Sequence, residues 1–325
     1  MAKLPPLSFE PIFKPAIWGG TRLRPFLGAP PSDEAIGEAW MLSDVDGNES
    51  RVASGSLAGR TLRELLARDA SAILGDAKLA NGRFPLLMKF LDAKRELSVQ
   101  VHPTDEQAHA RKPGQLGKTE AWVVLDANPE TSLLYAGFRP GVTAEAFRMA
   151  MANGTTPETL HRFMPMPGDC VFLEAGTVHA IGKDLMLFEV QQTSDITYRL
   201  YDWDRVDAKT GQPRELHIDD GLECSNFELG PCGPVTPAKD GDRDRLVECR
   251  YFSLHHRRDV NRFAVGTEGR CTVLVVLDAD PGNELEWDAD VTSLRAGQVV
   301  LLPASTGVCT IHPAGPVRVL EIGLG

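Results

Sequence analysis

Cysteine is scarce in this 325-residue chain. Its six cysteines, Cys170, Cys224, Cys232, Cys249, Cys271 and Cys309, show no C-x-x-C spacing, so they read as reduced thiols in a cytoplasmic protein. Basic residues are also in deficit: 34 Lys and Arg stand against 45 Asp and Glu, a net charge of −11. A surface that binds nucleic acid needs the opposite balance, although one local basic cluster would suffice for a small anion. Long apolar runs are missing too. The opening MAKLPPLSFE has no signal-like stretch, and no segment is long and apolar enough to suggest a membrane span. What remains is 42% hydrophobic and 24% charged, a globular composition in a chain long enough for two ordinary domains and a sizeable core.

What the chain does have is a set of polar residues on strand-like segments. Residues 97–102 alternate, with Leu97, Val99 and Val101 on one face and Ser98, Gln100 and His102 on the other. Glu120 in GKTEAWVVL, His179 in EAGTVHAIG and Arg199 in SDITYRLYDWDR are further candidates. Asp195, Thr197, Arg199 and Tyr201 share one face by the same period, as do Leu185, Leu187, Glu189 and Gln191. Nitrogen and carboxylate donors without cysteine suit a divalent ion, zinc first, with a position left open for substrate.

An internal repeat locates the chemistry. GKTEAWVVLDANP from Gly117 resembles GRCTVLVVLDADP from Gly269, and GDCVFLEAGTVHA from Gly168 resembles GQVVLLPASTGVC from Gly297. Thr272 stands opposite Glu120, Arg270 opposite Lys118 and Val308 opposite His179. The second copy keeps the turns and apolar strands but lacks the ligands, so the site belongs to the first. Short strands broken by Gly, Pro, Asn and Asp predict a mainly β protein of two antiparallel jelly rolls. Residues 1–235 form the catalytic metal-binding unit and 240–325 the degenerate second one, divided within the Pro- and Gly-rich stretch 231–242. Helical insertions are expected in the first half: TLRELLARDASAIL from Thr61, a short one after Pro103, and TAEAFRMAMANG from Thr143.

The Gly168 segment resembles the second signature motif of the cupin superfamily, with Gly168, Gly176 and His179 in place. Glu174 stands where that motif has Pro, and Lys183 where it has Asn. PLLMKFLDAKRELSVQVHPTDEQA, GKTEAW, the Gly176–His179 turn and FEVQQTSDITYRLYDWDR together resemble type I phosphomannose isomerase in its shorter bacterial form. FKPAIWGGTRL and IGEAWMLSD fit that family as well, and the likeness runs from about Phe13 to Arg205.

The resemblance implies one zinc per chain held by Gln100, His102, Glu120 and His179, with Arg199 as the catalytic arginine. It implies a cleft lined by Glu189 and Asp195, with Lys118 as the lysine of K-x-E. The implied reaction interconverts mannose 6-phosphate and fructose 6-phosphate through an enediol. That chemistry needs a dication for the developing charge and a base for the proton; Glu189 is the candidate base. Lys89, with Ser98 nearby, is the candidate for the phosphate. The implied partner is a sugar phosphate, without nucleic acid or membrane, for a monomer or simple homo-oligomer.

Each of these residues also has a plainer reading. His102 alone suits a core or surface position, Glu120 an edge strand and Lys118 a solvated turn. Arg199 could brace its strand through Asp195 or Asp202, and Glu189 could be structural. Trp18 and Trp40 read as packing residues. Two other functions fit a cupin: a metal-dependent oxygenase and a non-catalytic sugar-binding protein. The first leaves Arg199 and the Lys118-x-Glu120 pair unexplained, and the second predicts lost ligands.

Overall fold

The computed structural model describes residues 3–206 and 211–325. Two β-sandwiches make up the molecule. In the first, a six-stranded sheet runs in the order Cys170–Leu173, Glu120–Ala127, Leu185–Gln192, Leu86–Ala93, Ile12–Gly20, Ile36–Leu42. It faces a five-stranded sheet ordered Leu160–Phe163, Leu134–Phe138, His179–Ile181, Val99–Val101, Tyr198–Tyr201. The second sandwich pairs a seven-stranded with a four-stranded sheet, and the recorded strand pairings are antiparallel throughout. The mainly β, two-roll expectation holds.

The repeat is visible in strand register. Glu120 pairs with Leu173 on one side and Gln191 on the other. Thr272 pairs with Leu302 and Gly323 in the same way. The short strand Leu7–Ser8 joins the second sandwich, pairing with Leu301 and Val300. The stretch 231–242 is pinned to the first sandwich, with Cys232 N–H donating to Ala136 and Val235 N–H to Cys170. It then enters the seven-stranded sheet as Ala238–Asp240.

The large sheets lie back to back, which is why their central strands read as nearly continuous apolar runs. In LMLFEVQQ, Met186, Phe188 and Val190 pack with Val273, Val275, Leu320 and Ile322 of the other half. Leu185 and Leu187 point inward, into a cluster with Trp18, Leu91 and Trp122. Glu189 shares that inward face, so the period of two delivers a carboxylate to the interior of the first roll.

The three expected helices form at Leu62–Leu74, Asp105–Arg111 and Ala144–Ala152. Thr61 with Glu64 and Thr104 with Gln107 make capping boxes, and Thr143 accepts from Ala146 N–H. Ile218–Cys224 and the one-turn Leu23–Phe26 are additional. IDDGLEC carries a mid-helix Gly and two Asp, all weak helix formers, which hides it from periodicity. Every α-helix among the described residues precedes residue 231, and none is long and apolar enough to cross a membrane.

Candidate metal centre

Strand register assembles the site. Gln100 lies between His179 and Arg199 across three strands of the five-stranded sheet. Glu120 reaches in from the facing sheet. One donor atom each from His102, Glu120 and His179 lies within 4.8 Å of the others, and all three residues are buried.

The imidazoles are set for ligation by backbone carbonyls. His102 Nδ1–H donates to Ile196 O at 2.8 Å, and His179 Nδ1–H to Thr177 O at 2.9 Å. Each ring therefore turns the lone pair of Nε2 toward the common point. Burial, then the Lys118 charge, holds His102 well below the ordinary histidine range. Burial likewise brings His179 to about 4. Both are neutral, the form that binds metal.

Glu120 supplies the test of fit. Its oxygens lie 3.3 Å from His179 Nε2 and 3.7 Å from His102 Nε2, yet neither accepts a well-formed hydrogen bond. A buried carboxylate so placed asks for a cation. Lys118 Nζ answers in part, 2.8 Å from Glu120 Oε2 and 3.1 Å from His102 Nε2. Gln100 Nε2 donates to His179 Nε2 at 3.2 Å, and turning the amide over would present its oxygen instead. The donor set fits a divalent metal.

Beside these donors a polar row crosses the six-stranded sheet: Trp40, Lys89, Glu189 and Trp122 are successive cross-strand neighbours. Lys89 Nζ lies 3.1 Å from Glu189 and 3.3 Å from Glu38. Burial alone would lower this ammonium's pKa; Glu189 and Glu38 outweigh it and hold the pKa well above its usual value. Burial and then the Glu120 charge push the Glu189 carboxyl upward. Trp122 Nε1–H donates to Glu189 Oε2 at 3.0 Å, while Oε1 has no hydrogen bond and lies 3.7 Å from Lys118.

These groups open into a cleft of about 320 Å³, also lined by Ser98, Asp195, Thr197, Arg199 and Arg214. Burial raises the Asp195 carboxyl against the pull of Lys89. Ser98 Oγ is 3.4 Å from Gln100 Oε1. Arg199 Nη1–H donates to Glu215 O at 2.9 Å, and its Nε is buried without a partner. Burial, reinforced by the Arg214 charge, lowers its pKa.

Among the described residues Arg199 forms no ion pair with Asp195 or Asp202, and Asp202 pairs with Arg205 and Arg214. Tyr201 leaves the expected face as well. A register shift between Arg199 and Tyr201 breaks the alternation, and the Tyr201 hydroxyl donates to Asp204 at 2.9 Å.

Comparison with known proteins follows the same lines. The family described as phosphomannose isomerase type I, catalytic domain, matches residues 7–133. The mannose-6-phosphate isomerase ManA of Bacillus subtilis is 40% identical over 252 residues, 77% of this chain and 78% of that protein. This chain belongs to the type I phosphomannose isomerases. The crystal structure of the mannose 6-phosphate isomerase from Bacillus subtilis superposes with a TM-score of 0.87 at 30% identity, covering 98% of this chain and 99% of that one. A zinc-bound mannose 6-phosphate isomerase shares the fold, with a TM-score of 0.79 at 17% identity, covering 98% of this chain and 99% of that one.

Two residues of this phosphomannose isomerase cleft escaped the sequence reading, Glu38 and Arg214, while Trp18 both packs in the core as expected and lines the cleft. Trp40, read as a packing residue, donates to Glu38 Oε2 at 2.6 Å and lies 5.9 Å below the Lys89 ammonium. A signal for Glu38 existed. It is the lone acid in the strand IGEAWML, otherwise apolar or small, as Lys89 is the lone cation in LLMKFLDA. Arg214 lies outside any strand and has no periodic neighbour to recruit it.

Proposed function

We propose that this chain interconverts mannose 6-phosphate and fructose 6-phosphate with one zinc ion, held by Gln100, His102, Glu120 and His179. The observation that carries the reading is Glu120, a buried carboxylate facing two neutral imidazoles, next to Gln100 and Lys118 of a polar cleft. Zinc bound there would act as a Lewis acid, stabilising the negative charge that develops on substrate oxygen.

The remaining steps fall to side chains. Glu189 moves the proton between C1 and C2. Its unbonded Oε1 and upward-shifted pKa suit a base that must both take and return a proton. Lys89 and Trp122 fix its position, and Lys118 completes the polar wall between Glu120 and Glu189. Arg199 holds substrate oxygens and stabilises the enediolate, with its forked guanidinium in place of a second base. Lys89 and Ser98 are assigned to the phosphate end, with Asp195 on a sugar hydroxyl.

Residues 1–235 carry this chemistry and 240–325 pack behind it. Six free thiols suit a cytoplasmic setting for a monomer or simple homo-oligomer. A coupled assay with mannose 6-phosphate, before and after chelation and with zinc restored, tests the reading. Full turnover at negligible metal content would overturn it.

A further inference from the structure

A cavity of about 460 Å³, within the range of small-molecule sites, lies on the second sandwich and is closed on one side by Leu74, Asp76 and Ala77 of the first half. Strand register makes it the counterpart of the cleft. Where the first roll sets Trp40, Lys89, Glu189 and Trp122 side by side, the second sets Arg245, His255, Glu321 and Leu274. Glu321 thus stands in the place of Glu189 and His255 in that of Lys89. Arg270 precedes its strand as Lys118 precedes Glu120. Arg245, His255, Glu321, Arg270 and Arg243 all line the cavity.

Two features of its lining call for a ligand. Glu321 is only 5% exposed. Its Oε2 accepts from Gly266 N–H at 3.1 Å, fixing the turn that carries Arg270, while Oε1 has no hydrogen-bond partner. Arg243 lies between two carboxylates, 3.5 Å from Asp240 and 3.6 Å from Glu321 Oε1, and His255 lies 3.0 Å from Asp240. Arg245 and Arg270 have no ion-pair partner among the described residues. A buried acceptor wants a hydroxyl donor. Arg245 and Arg270 are exposed at the mouth, which Asp76 and Glu248 also line, and their unpaired forks match the geometry of an oxyanion.

We propose that this cavity binds a phosphorylated sugar without converting it, Arg245 and Arg270 taking the phosphate and Glu321 Oε1 accepting a sugar hydroxyl. Thr272 occupies the place of Glu120, so no metal centre accompanies it. The inference rests on the function proposed above only in its choice of a sugar phosphate as the ligand.

Equilibrium dialysis of the zinc-loaded protein with fructose 6-phosphate tests it. Wild type should bind two equivalents per chain, and Arg245→Ala/Arg270→Ala one, with an unchanged circular dichroism spectrum. One equivalent in wild type, or two in the double variant, overturns the proposal. Inorganic phosphate should compete for the second equivalent and an uncharged hexose should not; competition by the hexose alone would remove the phosphate from the arginines. If the double variant does not fold, Arg270→Gln at its exposed position should weaken the second equivalent about 10-fold or more, and an unchanged affinity there counts against the proposal. The two sites fail separately: His179→Ala should remove the other equivalent and spare this one.

Discussion

Trp122 and Glu189 face each other on adjacent strands, and the indole N–H spends its one donor on the carboxylate at 3.0 Å. This bond stabilises the ionised form of a carboxyl whose burial favours the neutral one. Trp122→Phe removes the donor and keeps most of the packing. The pKa of Glu189 should then rise further, and with it the acid limb of the kcat profile, since the base must be ionised to accept a proton. A profile that stays in place would separate Glu189 from the proton transfer.

Metal removal is expected to abolish turnover with the fold retained. Glu120 and His179 sit on strands, and His102 directly follows the strand Val99–Val101; that register does not depend on an ion, so circular dichroism should change little on chelation. Melting temperature should still fall, because binding to the native state alone stabilises it. Adding zinc should restore both properties; recovery with no metal bound would exclude this centre.

Much of this arrangement was legible in the sequence. Ser98, Gln100 and His102 share a face because period-two alternation holds along that strand. The Thr61, Thr104 and Thr143 caps announced their helices. The loss of Glu120 and His179 in the repeat identified the roll with the chemistry. What stayed hidden depends on tertiary contact. Glu38 matters because it pairs with Lys89 of the neighbouring strand, and Arg214 because it shares Asp202 with Arg205. Tyr201 was misplaced because one irregular residue pair reverses a strand's faces without changing its composition.

Lys89 is the keystone of the buried charges, pairing with Glu189 and Glu38 at 6% side-chain exposure. Lys89→Met would remove the cation nearest to both carboxylates and leave only Lys118, 3.7 Å from Glu189, at a cost of about 3–5 kcal/mol. Adding Glu189→Gln should recover part of the loss, because it removes one of the orphaned charges. Chemical denaturation of the single and double variants measures this coupling. Equal stability of Lys89→Met and wild type would show that the cleft solvates its own carboxylates.

Arg199 is where a catalytic and a bracing role part most clearly. Its guanidinium donates to the Glu215 carbonyl, its Nε is buried without a partner, and the side chain lines the cleft. A lysine could replace the charge but not the planar fork. Arg199→Lys is therefore expected to lose roughly 10²-fold or more in turnover, with zinc content and melting temperature near wild type. The loss should fall mainly on kcat, because the charge it stabilises develops only as the enediolate forms. A variant that turns over normally, or one that sheds its metal and unfolds, would make Arg199 part of the scaffold.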